Sequence, residues 1–204
     1  HNLGEVIDGA IHLIDHPDCS VEDLMQYIKG PDFPTGGIIL GKAGLRAAYY
    51  TGRGRIKVRA KAEIEEHSNG RYRIVIKEIP YMVNKSRLVE SIAALHKDKR
   101  VEGIADIRDE SSGRTGMSVI IDLKRDANPQ VVLNQLYRYT QMEDTLSVIL
   151  LALVDGQPKV LSLHEILSHY IDFQQDVVVR RTRFDLKKAE DRAHLLEGLR
   201  IACD

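Results

Sequence analysis

The chain has 204 residues, enough for one or two domains with a sizeable core. Its formal net charge is −1, which excludes a protein that coats nucleic acid through overall positive charge, so any such binding needs a local patch. The two cysteines, Cys19 and Cys203, form no CxxC pair and lie near opposite ends, which argues against a disulfide framework or a zinc site, and no apolar run is long enough to span a membrane.

Two helices are predicted at the beginning of the chain. Asn2 with Glu5 three residues later resembles a capping box, and apolar residues then recur at helical spacing until Pro17. Ser20 caps a second, shorter helix that the Gly-Pro pair at 30–31 ends. The chain begins with His rather than Met and stops inside an expected helix, so we expect an internal segment of a longer protein.

A Gly- and Pro-rich segment follows, with a short strand predicted at 38–40 and a short helix at 43–50. Its glycines lack the Walker lysine-serine pair and the strand-GxGxxG-helix context, which excludes a nucleotide-binding loop. Leu45 lies between Lys42 and Arg46 at the start of the short helix. An apolar side chain flanked by cations can enter a base step and kink a duplex, but the same spacing suits a core leucine.

The most informative stretch is residues 53–65, in which charged and apolar side chains alternate. The cations are Arg53, Arg55, Lys57, Arg59 and Lys61, and the apolar residues of the other parity are Ile56, Val58, Ala60, Ala62 and Ile64. Because successive side chains of a strand point to opposite faces, we expect one continuous strand with an apolar face and a cationic face. The row ends where Glu63 and Glu65 reverse the sign.

The spacing of these cations suits a nucleic-acid backbone. Residues two apart on one face of a strand lie about 6.7 Å apart, roughly twice the 3.4 Å rise per phosphate of one DNA strand. The pattern therefore predicts that this face contacts DNA. A solvated outer face whose lysines guard a sheet edge remains the alternative.

Residues 72–154 follow a β-α-β-β-α-β order. Strands are predicted at 73–79, 104–108, 117–123 and 146–154, with helices that begin after Asn84 and Asn128. The last of these strands is apolar at all but one position, so we expect it at the centre of the sheet. The order is typical of a split βαβ, ferredoxin-like two-layer sandwich, and the fold class is α+β.

Ser162 with Glu165 forms a capping box that begins a long C-terminal helix. A mostly apolar series follows a 3-4 heptad spacing along it: Val179, Thr182, Leu186, Ala189, Ala193 and Leu196. The spacing predicts the first limb of a coiled coil, and a helix of a bundle is the alternative.

No catalytic or metal-binding set emerges. The sequence contains no GxSxG or HExxH pattern. Tyr49 and Tyr50 lie beside the cationic strand, where a tyrosine nucleophile could reach DNA, although packing is the favoured interpretation. His12 and His16 are four residues apart, which suits a metal, but no third ligand is in view, so surface histidines are favoured.

Several segments together resemble the A subunits of bacterial type IIA DNA topoisomerases, the family of DNA gyrase and topoisomerase IV. They are HNLGEVIDG, GPDFPTGGII, AYYTGRGRIKVRAKAEIE, EIPYMVNKSRL, VEGIADIRDES, LVDGQPKVL and KKAEDRAHLLEGL. The resemblance covers essentially the whole chain, and ALVDGQPKVL is more similar to the gyrase branch. Topoisomerase IV is the alternative.

The resemblance implies a division into three parts. Residues 1–34 would be the helical tail of a winged-helix region, residues 35–156 a tower domain, and residues 157–204 the start of a coiled-coil arm. Within the tower, residues 35–66 would form the basic strand region and residues 72–154 the βαββαβ unit. The nucleophilic tyrosine of the family lies upstream, so we expect no catalytic residue here and an inactive isolated segment.

The resemblance also implies the activity of the parent protein: cutting, bending and resealing double-stranded DNA during ATP-dependent negative supercoiling. ATP and Mg²⁺ would be used through the partner B subunits, with no cofactor held in this segment. The implied partners are a second A-type protomer and two B-type protomers, with no membrane, in the bacterial cytoplasm at the nucleoid.

Leu45 matches the place of an isoleucine that the family inserts between bases, and Lys42, Arg46 and the cations of residues 53–61 would line the floor under the bent duplex. A protein-interaction scaffold with no DNA role is the competing hypothesis.

Overall fold

The computed structural model describes residues 1–67, 70–114 and 116–203. The helices are α1 (Leu3–Asp15), α2 (Val21–Tyr27), α3 (Ala43–Thr51), α4 (Lys85–Lys97), α5 (Pro129–Tyr139) and α6 (Leu163–Cys203). The strands are β1 (Ile38–Leu40), β2 (Arg53–Arg59), β3 (Lys61–His67), β4 (Arg71–Glu78), β5 (Ile104–Asp109), β6 (Val119–Leu123), β7 (Glu143–Ile149), β8 (Leu151–Val154) and β9 (Gln157–Val160). The predicted α+β class is confirmed.

All described helices except α3 begin at a residue whose side chain caps the first turn. The side chains of Asn2, Ser20, Asn84 and Asn128 each accept a hydrogen bond from a backbone N–H of the first turn, which satisfies a donor that the helix itself cannot. Ser162 and Glu165 form the predicted capping box of α6, in which the backbone N–H of each residue donates to the side chain of the other.

One sheet, called sheet A here, contains three antiparallel strands in the order β1-β2-β7. One of its faces is covered by α3 and by the first turns of α6, and the core beneath it also takes residues from α1 and α2. Ile56 and Val58 of β2 are buried in this core against Leu45 and Tyr49 of α3.

The second sheet, called sheet B here, contains four antiparallel strands in the order β3-β4-β6-β5. Helices α4 and α5 cover one face, with Ile74, Ile76 and Ile121 of the sheet buried against Leu88, Ile92 and Leu136 of the helices. This is a two-layer sandwich of the predicted kind. The edge position beside β4, which a split βαβ arrangement gives to its last strand, is taken by β3.

The prediction of one central apolar strand at 146–154 is wrong. The segment is two strands, β7 and β8, that separate at Leu150. β7 joins sheet A as the partner of β2, and β8 forms a hairpin with β9 across the Asp155-Gly156 turn. Both strands have one exposed face, and Ile149 and Leu151 are more than half exposed. Apolar composition alone therefore did not indicate a position in the centre of a sheet.

The prediction of one continuous strand over residues 53–65 is also wrong. β2 ends at Arg59 and β3 begins at Lys61, so the chain passes from sheet A to sheet B at Ala60. Ala60 is fully buried, and its N–H donates to the carbonyl of Met142 at 2.6 Å. The residues around this crossing, 59–61 and 140–143, are called the sheet junction below.

Helix α6 continues without interruption from Leu163 to Cys203, over 41 residues. Leu163 and Leu167 of its first turns are buried in the core under sheet A. The residues of the predicted heptad are exposed, so the coiled coil and the bundle helix both stay predictions. In the described part of the chain, no helix combines the length and apolar character that crossing a bilayer requires.

Two glycines let α3 lie directly on β2. A Cβ at Gly44 would overlap the carbonyl oxygen of Arg55, and a Cβ at Gly54 would come against the backbone of Gly44 and Ala48. The helix and strand therefore approach at backbone distance. This contact fixes the position of α3 relative to the cationic side of β2.

Replacing Gly44 by Ala should destabilise the fold by about 1–3 kcal/mol, because the new methyl group meets backbone rather than a movable side chain. Gly198 provides the matched control, since it lies in α6 with nothing within 4 Å of an added Cβ. There, Gly198→Ala should stabilise the helix by up to about 1 kcal/mol. Denaturant titrations measure both variants, and equal effects would contradict the proposed packing of α3.

Candidate nucleic-acid interface

The exposed face of sheet A carries the side chains of Arg53, Arg55, Lys57 and Arg59, which together are called the cationic face below. These four residues alternate along β2 with Gly54, Ile56 and Val58, which point to the covered side. The predicted alternation is confirmed for this strand. Because Ile56 and Val58 are buried on the covered side, the cations between them point to the outer face.

The neighbouring strand β7 adds two small polar side chains to the cationic face. Opposite Arg55 and Lys57, β7 places Ser147 and Thr145, and both are exposed. Hydroxyl groups can donate to phosphate oxygens alongside arginine and lysine. The face is therefore a row of cations bordered by further donors.

The two cations nearest the start of β2 are available for a ligand. Arg53 and Arg55 are exposed, and among the described residues no carboxylate pairs with either side chain. A cation held on a rigid strand without an internal partner is well placed to bind an anion.

The two cations at the other end are paired with Glu143 of β7. Its Oε2 accepts hydrogen bonds from Arg59 Nε at 3.0 Å and Nη2 at 2.6 Å, and its Oε1 lies 3.2 Å from Lys57 Nζ. The bonds from Arg59, and then those from Lys57, hold the pKa of Glu143 below its usual range despite partial burial. The Arg59 guanidinium also lies over the Tyr137 ring, 4.3 Å from its centroid.

Lys61 does not extend this row. It begins β3 in sheet B, beyond the crossing at Ala60, and its Nζ lies 3.9 Å from Glu78. The predicted row of five cations is therefore four on the cationic face and one on the other sheet.

The structure also separates Arg46 from the cationic face. Arg46 belongs to α3, which covers the opposite side of β2, and its Nε lies 2.8 Å from Glu22 of α2. Lys42 is exposed at the N-cap of α3, two residues beyond Leu40, which pairs with Lys57 across β1 and β2. Of these two cations, Lys42 is the one at the end of a strand of sheet A.

The structure does not place Leu45 on the surface, where the insertion between bases that the resemblance implies would need it. Leu45 is 3% exposed and packs in the core with Tyr49 and Ile56. The close contact of α3 with β2 turns this side chain inward, so the alternative of a core leucine is the one observed.

The tyrosines beside β2 differ in environment. Tyr49 is buried, its hydroxyl lies 2.7 Å from His1 Nε2, and burial raises its pKa well above the usual range, which makes it a poor nucleophile. Tyr50 is exposed. Its pKa is raised as well, first by partial desolvation and second by the nearby negative charge of Glu22. Neither environment activates a tyrosine hydroxyl.

The two histidines at the end of α1 lie side by side, next to a tyrosine of α2. The rings of His12 and His16 stack with centroids 4.6 Å apart, and His12 Nδ1 lies 3.3 Å from the Tyr27 hydroxyl. Within the described ranges, no cluster of three or more His, Cys, Asp or Glu side chains is arranged to hold a metal ion.

Sequence reasoning missed three residues of this surface: Glu143, Thr145 and Ser147. A signal was present, because polar side chains at these positions alternate with Leu146 and Val148. The apolar run that begins at Leu146 obscured it. Reading the strand from Glu143 would have identified β7 as a strand with one polar face.

Acid should remove the stabilisation that Glu143 provides. Because the pKa of Glu143 is lowered from 4.5 by Arg59 and Lys57, this stabilisation is fully present above about pH 4.5 and is lost as the pH falls through the lowered pKa. We expect Glu143→Gln to lose less unfolding free energy than the wild type between about pH 7 and about pH 3. Denaturant titrations across this range measure the difference, and parallel curves would contradict it.

Comparison with known proteins gives consistent matches over the whole chain. The family model that describes the A subunit of DNA gyrase/topoisomerase IV matches residues 1–204. The DNA gyrase A protein of Clostridium acetobutylicum is 62% identical over 204 residues, which are 100% of this chain and 24% of that protein. The DNA gyrase A proteins of Staphylococcus epidermidis and Staphylococcus aureus are 55% and 54% identical over the whole chain, which covers 23% of each. The chain thus spans about a quarter of the length of these relatives.

Proposed function

The chain belongs to the A-subunit family of DNA gyrase and topoisomerase IV, and on this premise we propose that it is the part of a gyrase-type breakage-reunion protein that holds and bends the cleaved duplex. The observation that carries the proposal is the cationic face, with Arg53 and Arg55 exposed and unpaired by any described carboxylate. Smooth bending of a short duplex costs on the order of 1–6 kcal/mol. Phosphate contacts along a rigid strand offset this cost and read little sequence.

Under this proposal the contact surface is smaller than the sequence predicted. It consists of Arg53 and Arg55, together with Lys57 and Arg59, which also pair with Glu143, and Lys42 lies at its border. Lys61 and Arg46 lie outside it because they belong to sheet B and to α3. Leu45 is not part of it, because a side chain that fills the core cannot enter a base step without leaving that core.

The remainder of the reaction takes place outside this chain. In the proposed enzyme the nucleophilic tyrosine lies outside residues 1–204, and ATP and Mg²⁺ serve the whole assembly through its B-type protomers. The assembly is a heterotetramer of two A-type and two B-type protomers that introduces negative supercoils in the bacterial cytoplasm, at the nucleoid. Topoisomerase IV, a decatenase, is the alternative within the family, and the gyrase relatives favour the supercoiling enzyme.

A protein-interaction scaffold is the second candidate. The observation in its favour is α6, along which Val179, Leu186 and Leu196 are exposed at heptad spacing. Such a helix serves a scaffold and a topoisomerase arm equally well. Salt-dependent duplex binding through the cationic face separates the two, since a scaffold has no use for it.

Replacing Arg53 and Arg55 together by Ala should weaken duplex binding by the full-length protein about tenfold. The salt slope of the logarithm of the binding constant should flatten by about 2, because two phosphate contacts are lost. Fluorescence anisotropy with a short linear duplex at several salt concentrations measures both. The control is Arg87→Ala with Lys97→Ala, which removes two exposed cations from α4. An unchanged slope in the Arg53/Arg55 variant would exclude the cationic face.

Replacing Tyr50 by Phe should leave covalent attachment of the full-length protein to DNA unchanged. Tyr50 is the exposed tyrosine next to β2, and its environment disfavours the ionised hydroxyl. Trapped cleavage complexes, separated by denaturing electrophoresis, provide the measurement. Loss of the covalent adduct in this variant would place the nucleophile within the chain.

A further inference from the structure

Glu143 places a carboxylate within a surface that otherwise offers cations to DNA. It faces Arg59 across β2 and β7, and its side chain is 18% exposed. Lys57 and Arg59 carry two positive charges, and with Glu143 included the net charge of the three side chains is +1. One of the four positive charges of the cationic face is therefore compensated by the protein itself.

The same carboxylate connects the two sides of the sheet junction. Arg59 precedes the crossing at Ala60, and Glu143 follows the returning segment at Met142. The Ala60 N–H donates to the Met142 carbonyl at 2.6 Å, and the Tyr137 hydroxyl donates to the Ala60 carbonyl at 3.3 Å. The Arg59–Glu143 ion pair thus lies next to the backbone contact between the two chain segments that pass between sheet A and sheet B.

On the basis of the proposed DNA contact, we propose that Glu143 is an internal counter-anion, which a DNA phosphate displaces from Lys57 and Arg59, and that this exchange loosens the sheet junction. Duplex binding and the pairing of β2 with β7 beside the sheet junction would then compete for the same two cations. The family resemblance assigns Glu143 no such role.

The geometry makes the exchange inexpensive. A phosphate accepts the same bidentate hydrogen bonds from a guanidinium as a carboxylate does. Stacking on Tyr137 keeps the Arg59 guanidinium in place, so Glu143 is the group that must turn away. Lys57 is 60% exposed and can follow the incoming anion without rearrangement of the strand.

When Glu143 no longer pairs with Arg59, fewer interactions hold the sheet junction together. The hydrogen bonds of Ala60 remain, but the charge-assisted pair next to them, between β2 and β7, is gone. Bending of a duplex across sheet A would then be accompanied by freer movement of sheet B. The inference therefore links the state of the DNA to the mobility of the second sheet.

The first test measures duplex affinity of the full-length protein with Glu143→Gln. Removal of the competing charge should tighten binding about three- to tenfold and steepen the salt slope by about 1. Glu90→Gln, which removes an exposed carboxylate from α4, is the matched control and should change little. Adding Arg59→Ala should abolish most of the gain, because Glu143 acts through that cation. Unchanged affinity and slope in Glu143→Gln would overturn the inference.

The second test follows hydrogen exchange of the Ala60 amide. In the wild type, the duplex should accelerate this exchange about three- to tenfold, whereas Glu143→Gln should exchange rapidly with or without the duplex. Tyr137→Phe controls for simple loosening, since it removes the hydrogen bond to Ala60 while the ring under Arg59 and the competing charge stay. It should accelerate exchange without steepening the salt slope. Equal or slower exchange of the wild type on the duplex would overturn the coupling.

These outcomes separate the inference from the proposed function. If Arg53 and Arg55 contribute to salt-dependent binding while Glu143→Gln matches the wild type, the DNA contact stands and the inference fails. If neither the wild type nor the Arg53/Arg55 variant shows salt-dependent binding, the proposed function fails with it.

Discussion

The hydrogen bond from Ala60 to Met142 is the constraint on which the arrangement of this protein depends. It holds together the two places where the chain passes between sheet A and sheet B, before β3 and after α5. A buried backbone N–H without a partner would be costly, so the crossing is held at this register. Every cation of the alternating segment is assigned to one sheet or the other by its position relative to Ala60.

Burial on one side of β2 determines what the other side can do. Helix α3 reaches backbone distance through Gly44 and fills the inner face with Leu45 and Tyr49. The strand cannot rotate without exposing Ile56 and Val58, so the cations stay on the outer face. The proposed DNA surface is thus a consequence of core packing, and the inward position of Leu45 follows from the same contact.

The sequence predicted features that depend on neighbours along the chain. The caps at Asn2, Ser20, Asn84 and Asn128 and the alternation of Arg53 to Arg59 are local and were found. The break at Ala60, the division at Leu150 and the burial of Leu45 depend on partners distant in the sequence. Alternation continues through Ala60, and apolar character continues through Leu150, so neither pattern marks a change of sheet. The pairing of Glu143 with Lys57 and Arg59 spans more than eighty residues and has no local sign.

The length of α6 gives the protein a mechanical property. At 1.5 Å per residue, 41 helical residues extend about 60 Å, while the buried root at Leu163 and Leu167 shares the core under the cationic sheet. A tilt of about 10° at that root would sweep the far end through about 10 Å. The helix therefore pivots beneath the surface proposed to bind the duplex. Small changes in the orientation of its first turns become large displacements at its C-terminal end.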